Sequence, residues 1–189
     1  MGGTFAAALL LPLEYSIYIG VGLSLVMYIY TSAANLRVVQ LDPLPDGHFR
    51  ELPAPKTVPS AAPLILGVYG NLYFAAVSTL ERQLPDPQAA ETPVVILRLR
   101  GNEYLGSTGI RLLERYAAQL EQRGGKLMIS GIGENIVGQL QRTGAWRRLG
   151  GAENIFPETD ILLAATEKAY SCACAWLAKQ RRALDAAEV

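Results

Sequence analysis

The feature that most constrains this chain is a run of 22 residues without a charge, YSIYIGVGLSLVMYIYTSAANL, from Tyr15 to Leu36. At 1.5 Å of rise per residue it makes a helix of about 33 Å, enough to cross a hydrocarbon core of about 30 Å. Tyr15 and Tyr18 stand near one end and Tyr28 and Tyr30 near the other, where amphipathic rings favour the two headgroup layers. No Lys or Arg precedes Arg37, so the run lacks the basic start of a secretory signal and is expected to be retained. Basic residues follow at Arg37, Arg50 and Lys56, and the positive-inside bias then places everything after the helix in the cytoplasm, at an inner membrane. Insertion of this helix alone has a thin margin. Its eight Leu, Ile and Val side chains supply roughly −2 to −5 kcal/mol, eroded by Ser16, Ser24, Thr31, Ser32 and Asn35. Gly20 and Ser24 have the small-xxx-small spacing that admits a neighbouring helix. The preceding FAAALLLPLE, interrupted by Pro12 and Glu14, is too short for a second span and is expected to be the tail of an earlier membrane segment.

The boundaries expected from this pattern are an apolar membrane segment at 1–36, with its transmembrane helix at about 15–36, a linker at 37–62 and a cytoplasmic domain at 63–189. The linker assignment follows from proline: six of the eleven, Pro43, Pro45, Pro53, Pro55, Pro59 and Pro63, fall between 43 and 63, which favours an extended, semi-rigid spacer. The single histidine, His48, lies there and is expected to face solvent; one imidazole makes neither a metal site nor a catalytic dyad. Over the 189 residues, 17 basic and 17 acidic side chains cancel, which excludes charge-driven binding to nucleic acid. The two cysteines, Cys172 and Cys174, are too few for a disulfide framework and point to a reducing compartment. Two apart on an expected helix, they do not share a face, which argues against a metal clip or redox pair and for packing roles.

From Pro63 onward strands and helices alternate, the pattern of an α/β domain. LILGVY is a strand and YFAAVSTLERQL a helix in its second half. PVVILRLR at 93–100 is a strand whose later Arg98 and Arg100 face opposite to Leu97 and Leu99, toward solvent. GSTGIRLLERYAAQLEQRGG is a helix with Ile110, Leu113, Ala117 and Leu120 along one face and Gly124 as its stop. KLMISGI is a strand, ENIVGQLQRTGAWRRLG a helix with Ile136, Val137 and Leu140 inward, ENIFP a short last strand, and a long helix from about Asp160 closes the chain.

Two loops carry chemistry. LGSTG (105–109) joins a strand's carboxyl end to a helix amino end, where free N–H groups and the helix dipole attract an anion or a phosphoryl group. Gly106, Ser107, Thr108 and Gly109 form this loop, and Ser107, or Thr108, is the candidate phosphoacceptor; phosphate would add roughly −1.5 to −2 charges there. The plainer reading, which the bare sequence favours, is that Ser107 or Thr108 merely caps the helix. GIGENIVG (131–138) imitates a glycine-rich phosphate or nucleotide loop, but Ile136 stands where a dinucleotide fingerprint needs Gly and no Gly-Lys-Ser/Thr follows, so Gly131 and Gly133 also fit as turn residues. Arg142, Arg147 and Arg148 with Trp146 make either a basic patch or a solvated helix end. No nucleophile with its base, paired carboxylates or metal cluster can be assembled from these motifs, so neither an enzyme, a metal nor a cofactor is expected.

TFAAALLLPLEYSIYIGVGLSLVMYIY resembles the last membrane segment of the SulP family of sulfate permeases and related anion transporters. LYFAAVSTLERQL, PVVILRLRGNEYLGSTGIRLLERYAAQLEQRGGKLMISGI and LQRTGAWRRLGGAENIFPETD resemble successive parts of that family's cytoplasmic STAS domain, the sulfate transporter and anti-sigma-factor antagonist domain. The resemblance implies a mixed sheet of four or five strands flanked by about four helices, preceded by a transmembrane helix. It implies a carboxyl-terminal portion of an anion transporter that regulates or assembles the membrane part, does not transport alone, and is compatible with a homodimer. The relatives that act as anti-sigma-factor antagonists carry an Asp-Ser-Ser-Gly type motif with a phosphorylated serine; here Gly106, Ser107, Thr108 and Gly109 stand in its place, the acid replaced by Gly106. The alternative this implies is a membrane-tethered partner-switching regulator, phosphorylated at Ser107 by a kinase.

Overall fold

The computed structural model describes residues 13–34, 36–60, 62–70, 72 and 74–187. The residues from 5 to 12, expected to be the tail of a membrane segment, lie outside the described residues. Helix α1 (Leu13–Ala34) leads into a hairpin of β1 (Arg37–Pro43) and β2 (Phe49–Pro53). Then come β3 (Leu64–Tyr69), α2 (Phe74–Gln83), β4 (Val94–Arg98), α3 (Ser107–Gln122), β5 (Lys126–Ile132), α4 (Glu134–Arg142) and the single turn α5 (Ala145–Arg148). A 3-10 turn at Gly151–Glu153, β6 (Ile155–Pro157) and α6 (Ala164–Ala187) complete the order.

The strands form one mixed sheet of six, in the order β2-β1-β3-β4-β5-β6, which corrects the expected four or five. Strands β3 to β6 are parallel, while β1 is antiparallel to both its neighbours. The additional strands come from the segment 37–62, so the linker expectation is corrected too. Its prolines do not prevent pairing because Pro43 and Pro53 sit at strand ends and Pro45 in the turn, where a missing N–H interrupts no ladder. Between the strands Val38, Val39 and Leu41 are buried, and exposed β2, carrying Arg50 and Glu51, forms a charged sheet edge. His48 is exposed in the hairpin turn, where its N–H donates to Asp46 Oδ1 at 3.0 Å. Residues after the hairpin are tied down as well: Val58 N–H donates to Asp86 O at 3.1 Å and Asp86 N–H to Lys56 O at 2.9 Å.

Strands that are apolar on both faces require a layer on each side, and the chain supplies them unequally. On one face α2, α3 and α4 bury Leu80, Leu113, Leu120 and Leu140 against Leu66, Val95, Leu97 and Ile129. On the other, α6 alone lays Ala165, Ala169, Ala173 and Leu177 over Ile96, Met128 and Phe156. The alanine stripe at four-residue spacing lets the helix backbone approach the sheet closely. Cys172 and Cys174 flank this stripe and are exposed and free, so they are not packing residues. Arg98 likewise departs from expectation. It is only 8% exposed, because β4 is interior and its second face is covered by α6.

Helix α3 follows its sequence closely. Ile110, Leu113, Ala117 and Leu120 are buried, and past the Arg123 cap Gly124 takes φ +68°. Gly124 N–H donates to Glu121 O at 2.9 Å and Gly125 N–H to Leu120 O at 2.8 Å, the paired closure that satisfies the last carbonyls of a helix. Helix α1 is different in kind: it packs against α2 on the side of the buried Ser16, while its large apolar side chains from Tyr15 to Tyr28 are exposed. Among the described residues no helix is long and apolar enough to cross a membrane. The part of α1 whose side chains are described, Tyr15 to Tyr28, spans about 21 Å against a core of about 30 Å.

Candidate functional site

The carboxyl ends of the parallel strands converge with the amino ends of α3 and α4, the edge of an α/β sheet where ligands usually sit. The loop after β4 is held from three sides. Leu99 N–H donates to Ser130 O at 3.0 Å, coupling it to β5. Asn102, 6% exposed, accepts from Leu72 N–H at 3.0 Å through Oδ1 and donates through Nδ2 to Leu99 O at 3.2 Å. Leu105 is buried and its N–H donates to Gln139 Oε1 of α4 at 3.0 Å. A Cβ on Gly109 would come within 2.9 Å of Leu105 Cδ1, so glycine there lets the helix start directly over the anchored leucine.

The outcome is a rigid loop that presents Ser107 and Thr108 to solvent at the first turn of α3. Gly106 is the cap residue, and no side-chain hydrogen bond caps the helix, so the expectation that Ser107 or Thr108 caps it is corrected. Both hydroxyls belong to the helix rather than precede it, which removes them from the geometry a cap needs. The first N–H groups of a helix have no intrahelical acceptor, and Ser107 lies in that first turn.

The second loop differs. Gly131 has φ +70° and its missing Cβ leaves room for Arg100 Cβ, which would lie 3.3 Å from it. Gly133 precedes α4 at φ −73°, ψ 166°, and a Cβ there would lie 3.1 Å from Glu158 Oε1. With Glu134 in the first turn and the Glu158 carboxylate alongside, this helix start already has its negative charge. Gly131 therefore holds a turn conformation that a side chain rarely adopts, and Gly133 is the cap residue of α4. Of the basic residues Arg142, Arg147 and Arg148, the last is engaged: Arg148 Nε donates to Glu114 Oε1 at 2.8 Å and Nη2 to Thr143 O at 3.1 Å.

Sequence reasoning did not single out Asn102 or Gln139, and it placed Arg98 toward solvent. Asn102 had a visible signal, an amide directly after Gly101 where the strand has ended, but Gln139 and Arg98 gain their surroundings only from neighbours distant in sequence. Burial lowers the Arg98 guanidinium pKa, the Tyr69 phenol opposes that shift, and nearby Arg100 adds to it. Among the described residues no group of three or more His, Cys, Asp or Glu could hold a metal ion.

The profile of the STAS domain matches residues 53–160, more than half of the chain. The chain belongs to the STAS domain family. No curated protein matches it. Among solved structures, the murine solute carrier 26 family member A9 anion transporter in its inward-facing state superposes with a TM-score of 0.62 at 18% identity, covering 87% of this chain and 27% of that one. A structure of SLC26A9 gives 0.64 at 16% identity, with 88% and 29% covered. A sulfate transporter family protein from Wolinella succinogenes gives 0.50 at 26% identity, covering 65% of this chain and 92% of that one. The STAS domain described here is thus similar to those of the SulP and solute carrier 26 transporters, and the chain spans less than a third of the length of the two transporter structures.

Proposed function

We propose that this chain is the carboxyl-terminal portion of a SulP-type transporter of sulfate or another inorganic anion, with α1 as a membrane helix and the STAS domain at the cytoplasmic surface. One observation carries the reading: an apolar helix with exposed Ile, Val, Leu, Met and Tyr over most of its surface joins this domain within two residues of β1. Such a surface is costly in water and is satisfied by lipid or by neighbouring membrane helices. Described side chains cover about two thirds of a bilayer core, and the uncharged sequence continues to Leu36. The domain then regulates or assembles the membrane part and makes no bond itself. A single helix encloses no polar route for an anion, so the chain alone does not transport. The partners are the membrane part of the transporter, the bilayer and, by family likeness, a second copy.

Vesicles containing only this chain are expected to show no uptake of labelled sulfate above empty vesicles while retaining the chain after alkaline extraction. Sulfate uptake would overturn the division of labour, and release by alkali would overturn the membrane helix. A second reading is favoured by Ser107, exposed and uncommitted to capping: a tethered partner-switching regulator phosphorylated there. Mass spectrometry of the chain from its native cells separates the two, since a phosphoserine at 107 supports the switch and an unmodified residue supports the transporter reading alone.

A further inference from the structure

An open groove of about 760 Å³ lies where β1 begins, β2 ends and α2 ends. Leu52, Pro53 and Leu84 give it an apolar floor, and Arg37, Lys56 and Arg82 line it as cations. Arg37 is neutralised by Glu51 at 2.7 Å. Lys56 and Arg82 are exposed and have no carboxylate within ion-pair distance among the described residues; Arg82 donates only to Thr79 Oγ1, at 3.3 Å. The side chain of Gln83 shapes the wall by accepting from Val38 N–H at 2.9 Å and donating to Leu36 O at 3.2 Å, so the groove is built onto the segment that leaves α1. Arg37 follows the end of α1 by three residues, which places the groove within about 10 Å of that end. The headgroup layer on one side of a bilayer is about 5 to 8 Å deep.

We propose that this groove seats the headgroups of anionic phospholipids and so fixes the STAS domain against the membrane surface. The inference rests on the proposal that α1 lies in the bilayer. It follows from charge complementarity and continuity: two unpaired cations line a groove that also carries Leu52 and Leu84, and that groove begins three residues after a helix whose apolar surface needs lipid. An exposed pair of cations holds a free anion weakly, because water and salt screen it. A bilayer presents phosphates at high local concentration together with acyl chains for Leu52 and Leu84.

The test uses the full chain reconstituted in phosphatidylcholine vesicles with and without phosphatidylglycerol, read by amide hydrogen exchange over residues 52–56 and 82–84. Exchange is expected to slow several-fold only when phosphatidylglycerol is present. Lys56→Gln combined with Arg82→Gln, both at exposed positions, is expected to abolish that slowing while thermal unfolding stays unchanged. Equal exchange in both vesicles would overturn the proposal. So would equal slowing in neutral vesicles on addition of inorganic phosphate, which would make the ligand a free anion, or protection in neutral lipid alone, which would make the occupant a protein segment. Alkaline extraction of the same vesicles reads the helix independently: a chain that stays inserted but shows no lipid-dependent exchange fails this inference alone, whereas a chain that is released fails the membrane reading.

Discussion

Helices α1 and α6 are of similar length, 22 and 24 residues, yet they solve the burial problem in opposite ways. Helix α1 is rich in Leu, Ile and Val and leaves them exposed, with Tyr18 73% and Tyr28 69% accessible. Helix α6 is studded with Lys, Arg and Glu and is docked firmly, through three alanines and one leucine. Hydrophobicity therefore does not decide which helix enters the domain. Periodicity does: a stripe at four-residue spacing has a complementary sheet face to meet, while a helix that is apolar all round has no single face to turn inward.

Four changes would break or sharpen this contrast. The largest effect is expected for Leu23→Lys in α1, which should weaken membrane retention by about 3 kcal/mol, read as release into the alkaline supernatant, while the unfolding temperature of the STAS domain does not move. Next, Ala169→Leu on the buried stripe of α6 should destabilise the domain by about 1–3 kcal/mol in denaturant titration and leave membrane retention intact, because a fully buried alanine has no space for the added carbons. A parallel loss from both variants in both assays would show that the two helices are not independent. Smaller is Thr166→Val, which removes the 3.1 Å hydrogen bond between the buried hydroxyls of Ser130 and Thr166 and should cost about 1–2 kcal/mol.

The smallest near neutral pH is Tyr116→Phe, at about 1 kcal/mol, since its hydroxyl donates to Pro85 O at 2.8 Å. Its pH dependence has a definite sign. Burial, then the charge of Asp86, raises the Tyr116 pKa, so the neutral phenol is preferred in the folded state. The associated stability is fully present below the ordinary tyrosine pKa of about 10 and declines as pH rises beyond it. Equilibrium unfolding from pH 8 to 11 is expected to show a steeper alkaline loss in the parent than in the phenylalanine variant; parallel curves would remove the phenol from the account.

Most of the domain is legible in the sequence because its signals are local. The continuous apolar run Val94–Leu97, the face of α3 and the glycine stop at Gly124 each follow from spacing within one element. The hairpin is less so. The prolines of 43–63 suggest a spacer, but about half of 37–62 is sheet, because β1 pairs with β2 in the hairpin and with the more distant β3, Tyr69 standing opposite Arg37. The candidate site divides in the same manner: the strand-to-helix position of Ser107 is readable, but the loop's anchoring comes from Asn102 meeting Leu72 and Gln139 meeting Leu105, contacts 30 and 34 residues apart.

What the sequence determined by itself is the uncharged helix, the α/β alternation and the exposed hydroxyl at a helix start, since each depends on period, charge and turn chemistry over a few residues. Tertiary structure decided which faces are covered. It buried Arg98 by placing α6 over β4, left Cys172 and Cys174 in solvent beside an alanine stripe, and gathered Lys56 and Arg82 around one groove. The physical reason is that burial belongs to the packing of layers, and a residue's layer is set by partners that its own neighbours in the chain do not specify.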